Sequence, residues 1–251
     1  MYNEKNESMN LEEFKSVKIK GREEVGKLAI EVLKELHPVA LHQFGSGGRN
    51  TSDEFSDLDF FATMRDEDFD KAVETKEKIW ASVAPILVRL HNKIPNSVGW
   101  YHDLVIYDTD KGLFHVDYYL TPQSKVVLPP NARLLYGKDF PPGSWETWTV
   151  EDKSDTAGHD LYEAILAMSY IGVKGVVRKW DSVFFDYLRK LYNGYRRDEN
   201  PGVSELPEEN NFGLINAILN NLKEDGNERQ QKANKKIYKY LSQVEHLYKT
   251  H

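Results

Sequence analysis

Cysteine is missing from all 251 residues. Its absence excludes disulfides, thiolate metal sites and cysteine nucleophiles together. Long hydrophobic runs are missing too, and none approaches the roughly twenty residues that span a bilayer. The opening stretch MYNEKNESMNLEEF has no basic segment followed by an apolar one, so no signal peptide is expected. Together these absences predict a cytoplasmic protein with no membrane partner. Positive charge is also short: 33 Lys and Arg face 40 Asp and Glu, a formal charge of -7. That balance disfavours nucleic acid as the main partner. No repeat or low-complexity segment is present. Apolar residues are plentiful, 40% with 12% aromatic, enough to build the core of one large domain or two modest ones.

Chemistry concentrates in Phe44 to Thr63, FGSGGRNTSDEFSDLDFFAT. A Gly-Ser turn follows a short apolar run, and Asp57 and Asp59 open the next one. Side chains two apart on a strand share a face, so the two carboxylates project together while Leu58 and Phe60 pack behind. Adjacent carboxylates repel unless a cation lies between them, and hard oxygen ligands suit Mg2+. Gly45, Gly47 and Gly48 allow close backbone approach, and Ser46 stands near the start of an expected helical turn. A third acid, Asp117, lies mid-strand in LFHVDYYL, where a carboxylate is unusual unless it meets a ligand. If its strand pairs beside Asp57 and Asp59, the three acids form a metal site of the kind used in two-metal phosphoryl transfer. His42 and His115, also within strands, are expected to be structural.

The surrounding pattern predicts an α+β chain with two domains, 1–140 and 141–251. Apolar spacing predicts a helix over 22–36, a strand over 39–44, a helical start at 46–51 and a strand over 57–64. A helix over 68–91 is predicted with a kink at Pro85. Strands over 98–107 and 113–120 are joined by a turn containing Gly112, and a short strand covers 133–136. A linker, Phe140-Pro141-Pro142-Gly143-Ser144, precedes a bundle of four or five helices, over 155–177, 182–195, 212–222 and 232–248. Trp145 and Trp148 are expected to anchor that linker.

The Gly-Ser turn, the Ser-Asp-hydrophobic-Asp motif and the later strand Asp resemble the polymerase-β-like nucleotidyltransferase superfamily. FGSGGRNTSDEFSDLDF looks most like the antibiotic nucleotidyltransferases, kanamycin nucleotidyltransferase and its aminoglycoside and lincosamide relatives among them. RLLYGKDF is similar to a segment that closes the sheet domain in many of them. The resemblance implies a mixed-sheet nucleotidyltransferase domain followed by a helical substrate-binding domain. It implies an enzyme of antibiotic resistance that moves a nucleoside monophosphate, AMP from ATP, to a hydroxyl of an aminoglycoside- or lincosamide-like molecule bound between the domains.

By the same resemblance, Gly45, Ser46 and Gly47 with Arg49 would hold the terminal phosphates. Asp57, Asp59 and Asp117 would coordinate a pair of Mg2+ ions, and Asp117 would also take the acceptor's proton. Some relatives carry a Glu base and a phosphate-binding Lys on the first C-terminal helix, which here would be Glu163 or Asp160 with Lys174 or Lys179. A protein hydroxyl as acceptor, or a nucleotide-binding regulator without catalysis, are the alternatives, and a homodimer is a candidate assembly.

Overall fold

The computed structural model describes residues 9–49, 51–92, 100–143, 160–199, 206–209 and 211–249. The chain divides into two compact units, 1–158 and 159–251.

The first unit opens with helix α1, Leu11–Lys34, eleven residues ahead of its predicted start. Asn10 and Glu13 form a capping box at its N-terminus, which fixes the early start. Its inward stripe is Phe14, Lys18, Gly21, Val25, Ala29 and Leu33. A Lys and a Gly in that stripe hide the period from a hydropathy count.

Strand β1, Ala40–Phe44, leads into a single helical turn, α2, Gly45–Gly48, and then β2, Leu58–Met64. Helix α3, Phe69–Val83, ends where a kinked continuation is expected. Ala84 is extended, and Ile86–Asn92 forms strand β3. Pro85 has no N–H and its ring clashes with the preceding turn, so the helix stops. Leu87, Val88 and Leu90 then bury better in a sheet. Strands β4, Tyr101–Thr109, and β5, Gly112–Pro122, form the predicted hairpin, with Gly112 at φ +117 in the turn. Strand β6, Arg133–Gly137, completes a six-stranded mixed sheet in the order β3-β4-β5-β2-β1-β6. Only β2 and β5 pair in parallel; every other pairing is antiparallel.

The two faces of this sheet differ. One carries Leu41, Phe60, Ala62, Met64, Val105, Tyr107, Val116, Tyr118 and Leu120 against α1 and α3. Trp80 of α3 stacks on Tyr118 at 3.9 Å with the rings 7° apart. Each such fully buried side chain contributes about 1.5–3 kcal/mol, so this face holds most of the stability of the unit. The other face carries the short cluster Phe44, Phe61 and Leu128, flanked by Tyr119, Val126, Ala132 and Phe140. The segment after β5 covers it, with no helix among its cluster residues.

The second unit is all helical among the described residues: α4, Leu161–Val177; α5, Ser182–Glu199; α6, Phe212–Leu222; and α7, Glu228–Lys249. Asp160 and Asn211 cap α4 and α6 through their side chains. Helix α4 is the hub, packing on α5, α6 and α7, and buries Ile165, Leu166, Ala167 and Val173. No described helix is long and apolar enough to cross a membrane. Trp145 and Trp148 lie outside the described residues.

Candidate metal centre

The parallel pairing of β2 and β5 sets Asp59 opposite Asp117 and Phe61 opposite Tyr119. On the other side of β5, Tyr119 stands opposite His102 of β4. Residues directly opposite, or two apart on one strand, share a face. Asp59, Asp117, His115 and His102 therefore converge on the sheet face opposite the one that packs on α1 and α3. Asp57, immediately before β2, joins them.

Asp57 is delivered by a locked turn. Ser56 Oγ and the Phe55 N–H donate to Asp53 Oδ1 at 2.8 and 3.0 Å, and the Asp53 N–H donates to Ser56 Oγ at 2.9 Å. Arg22 of α1 donates to the Asp53 carbonyl at 2.5 Å. Burial holds the Arg22 guanidinium below its usual value, while the charges of Asp53, Glu23, Asp57 and Glu54 work the other way. Arg22 thus adds a positive charge beside Asp57 from a helix that the motif does not include.

Asp117 is buried, at 8% exposure, and stands between two imidazoles. His102 Nε2 lies 2.8 Å from Asp117 Oδ1, and His115 Nε2 lies 2.9 Å from Oδ2. The His102 ring is itself fixed by stacking on Tyr119, centroids 4.3 Å apart and planes 14° apart. Burial opposes ionisation of Asp117, but the charge and hydrogen bonds of His115 and His102 prevail and hold its carboxyl well below the usual range. The Tyr119 phenol is pushed well above its usual value by burial first, then by the charges of Asp117, Asp59 and Asp57 in that order. All three carboxylates therefore act on one ring.

His115 also faces Asp57, with Nδ1 3.7 Å from Asp57 Oδ2. Asp57, His115 and Asp117 offer ligand atoms that all lie within 4.8 Å of one another. His115 is thus part of this cluster. His42 keeps a structural place, fully buried with Nε2 3.4 Å from Asp139 Oδ1.

Asp59 occupies the neighbouring position. Its Oδ2 would lie 2.1 Å from a Cβ built on Gly45, which also holds φ +62. A side chain at position 45 is therefore excluded twice, by the left-handed backbone and by the carboxylate. The Gly-Ser turn meets the acids directly. Ser46 is half-buried, accepts at its carbonyl from the Thr51 N–H at 3.0 Å and lies 3.4 Å from Ser52 Oγ. Gly47 is half-buried and Arg49 exposed. Asp57, His115 and Asp117 could together hold a divalent cation, with Asp59 beside them on the same face.

The second unit holds the remaining candidates. Asp160 is engaged as the α4 cap and accepts from Gln230 Nε2 at 2.5 Å. Glu163 is buried and pairs with Arg229 of α7. Lys174 Nζ lies 5.5 Å from the Trp180 ring centroid, and Lys179 is exposed at φ +55. A shallow cavity of about 660 Å3 lies at the far ends of β1 and β2, between Val39, Arg65, Ser124 and Tyr136, and Asp57, Asp59 and Asp117 are not among its lining residues.

No family model matches the chain, and no curated protein matches it.

Proposed function

We propose that the chain is a nucleotidyltransferase that moves AMP from ATP to a hydroxyl of a small molecule of the aminoglycoside or lincosamide kind. One observation carries this reading: Asp59 stands in register with Asp117, with Asp57 two residues before it and the Gly45–Ser46 turn against the Asp59 carboxylate. The acids and the Gly45–Ser46 turn lie side by side, and this adjacency supports the reading. The α+β architecture, with its mixed sheet, is compatible with the polymerase-β-like layout.

In this reading Asp57, Asp59 and Asp117 hold Mg2+, which would neutralise phosphate charge when bound. Ser46 and the backbone of Gly45 and Gly47, with Arg49, orient the terminal phosphates. The acceptor oxygen bonds to the α-phosphorus as its proton passes to solvent water, the bond from that phosphorus to the bridging β-phosphate oxygen breaks, and pyrophosphate leaves. Positioning and charge neutralisation supply most of the rate enhancement in such a transfer. Asp117, kept ionised by two imidazoles, suits cation binding and is a weak acceptor for the hydroxyl proton.

Incubating the protein with labelled ATP, Mg2+ and a panel of hydroxylated antibiotics tests the proposal. The expected result is a nucleotidylated product with one pyrophosphate released per transfer. ATP binding without pyrophosphate release across the panel would overturn it.

A further inference from the structure

We propose that Asp57, His115 and Asp117 form a mixed nitrogen-oxygen site for a first-row transition-metal dication, with Mn2+ and Zn2+ preferred over Mg2+. The proposal rests on the cation-binding part of the function above and is independent of the transfer step.

The donor set is the first ground. An oxygen-only cluster of Asp57, Asp59 and Asp117 would suit Mg2+, which prefers near-ideal octahedral oxygen coordination and gives up water reluctantly. Imidazole nitrogen shifts preference toward softer dications, which bind such a donor set more tightly. Here the three residues whose ligand atoms crowd within 4.8 Å include that nitrogen and leave Asp59 out.

The spacing is the second ground. Two ligand atoms each about 2.1 Å from one ion stand about 3.0 Å apart at a right angle and about 3.4 Å apart in a tetrahedron. His115 Nε2 stands 2.9 Å from Asp117 Oδ2, close to the right-angle value, and the ligand atoms of Asp57, His115 and Asp117 all lie within 4.8 Å of one another.

The third ground is the support behind Asp117. His102 is held flat on Tyr119 and directs Nε2 at Asp117 Oδ1, leaving Oδ2 on the side of His115. Hydrogen-bonded carboxylates of this kind are the usual companions of a metal ligand.

The nucleotide-free protein titrated with Mn2+, read by loss of the free-ion electron paramagnetic resonance signal, tests this. Mn2+ is expected to bind at least about tenfold more tightly than Mg2+ in competition, and Zn2+ to displace it. His115→Gln is expected to lose about tenfold in Mn2+ affinity while Mg2+ affinity changes much less. Pulsed resonance on Mn2+ bound to the unaltered protein adds a readout that needs no variant: a nitrogen hyperfine coupling is expected. Equal Mn2+ and Mg2+ affinities, or bound Mn2+ without a nitrogen coupling, overturn the site. Pyrophosphate release is measured separately. Mn2+ held through nitrogen without transfer sinks only the enzyme, and Mg2+-supported transfer without a Mn2+ preference sinks only this site.

Discussion

Asp103 on β4 and Asp117 on β5 are both buried carboxylates near histidines, and they face opposite sides of one sheet. Asp103 is fully enclosed and stands opposite Tyr118 on the helix-covered face. It accepts from Trp80 Nε1 at 2.9 Å and contacts His91, which also meets the Tyr101 hydroxyl at 2.8 Å. Lys76 lies over the Tyr101 ring at 4.2 Å; burial lowers its pKa, and the Asp103 charge is the main opposing influence. Every neighbour of Asp103 is thus a donor or a cation, and the carboxylate is satisfied where it stands. Asp117 also has its histidines, but Asp59 and Asp57 crowd it with like charge. Burial alone does not mark a site. Like charges gathered on one face are what set Asp117 apart from Asp103.

The comparison can be broken at its strongest point first. Asp57→Asn combined with Asp59→Asn should lower turnover by about a thousandfold or more, with little change in melting temperature. Mg2+-dependent turnover near the original rate would mean that the excess charge serves no cation. Next, Asp103→Ala should destabilise the first unit by about 3 kcal/mol in denaturant titration, because it strands the Trp80 N–H and the Lys76 charge. Asp117→Asn should cost less than Asp103→Ala, since an amide oxygen still accepts from His102, although the favourable field of the two imidazoles on the carboxylate is lost. Equal losses at the two positions would erase the distinction between the faces.

Lys18 sharpens the contrast from the helix side. It is buried against the Phe114 ring, donates to the Leu113 carbonyl, and is pushed down to about 7, chiefly by burial and then by the charge of Arg22. Above that value the folded chain binds fewer protons than the unfolded chain, whose lysine titrates near 10.5. Stability should therefore rise as pH increases from 7 toward 10, and Lys18→Met should flatten that rise in denaturation at stepped pH. The smallest effect is expected at a third buried carboxylate, Glu163. Its Oε1 is engaged by Arg229 within the helical unit, so Glu163→Gln should keep full turnover and lose about 1 kcal/mol of stability. A hundredfold fall in turnover at unchanged stability would restore it as a catalytic group.

The strands flanking the motif were legible because alternation and turn residues agree: β1, β2 and the β4–β5 hairpin lie close to where period and Gly112 put them. The stretch beyond Pro85 was not, because Ile86, Leu87 and Leu90 fit helical spacing as well as a strand, and only tertiary burial decides. The acids were legible as a pair and a third member, since spacing fixes their face. The histidines were harder. His115 sits two residues before Asp117 and so shares its face, a signal present in the chain. His102 and Arg22 reach the acids only through strand register and helix packing, which no local pattern contains.

The parallel pairing that builds the centre also orders its assembly. The β4–β5 hairpin closes locally, on a scale of about microseconds, whereas β2 must find β5 across two intervening strands and a helix. Leu58 can meet Val116 only as Asp59 is driven toward Asp117, so electrostatic repulsion falls on the docking step itself. Dissolved divalent ions should thus accelerate refolding of the first unit, so that a charge-screening ion would act on the folding rate before it acts on anything else.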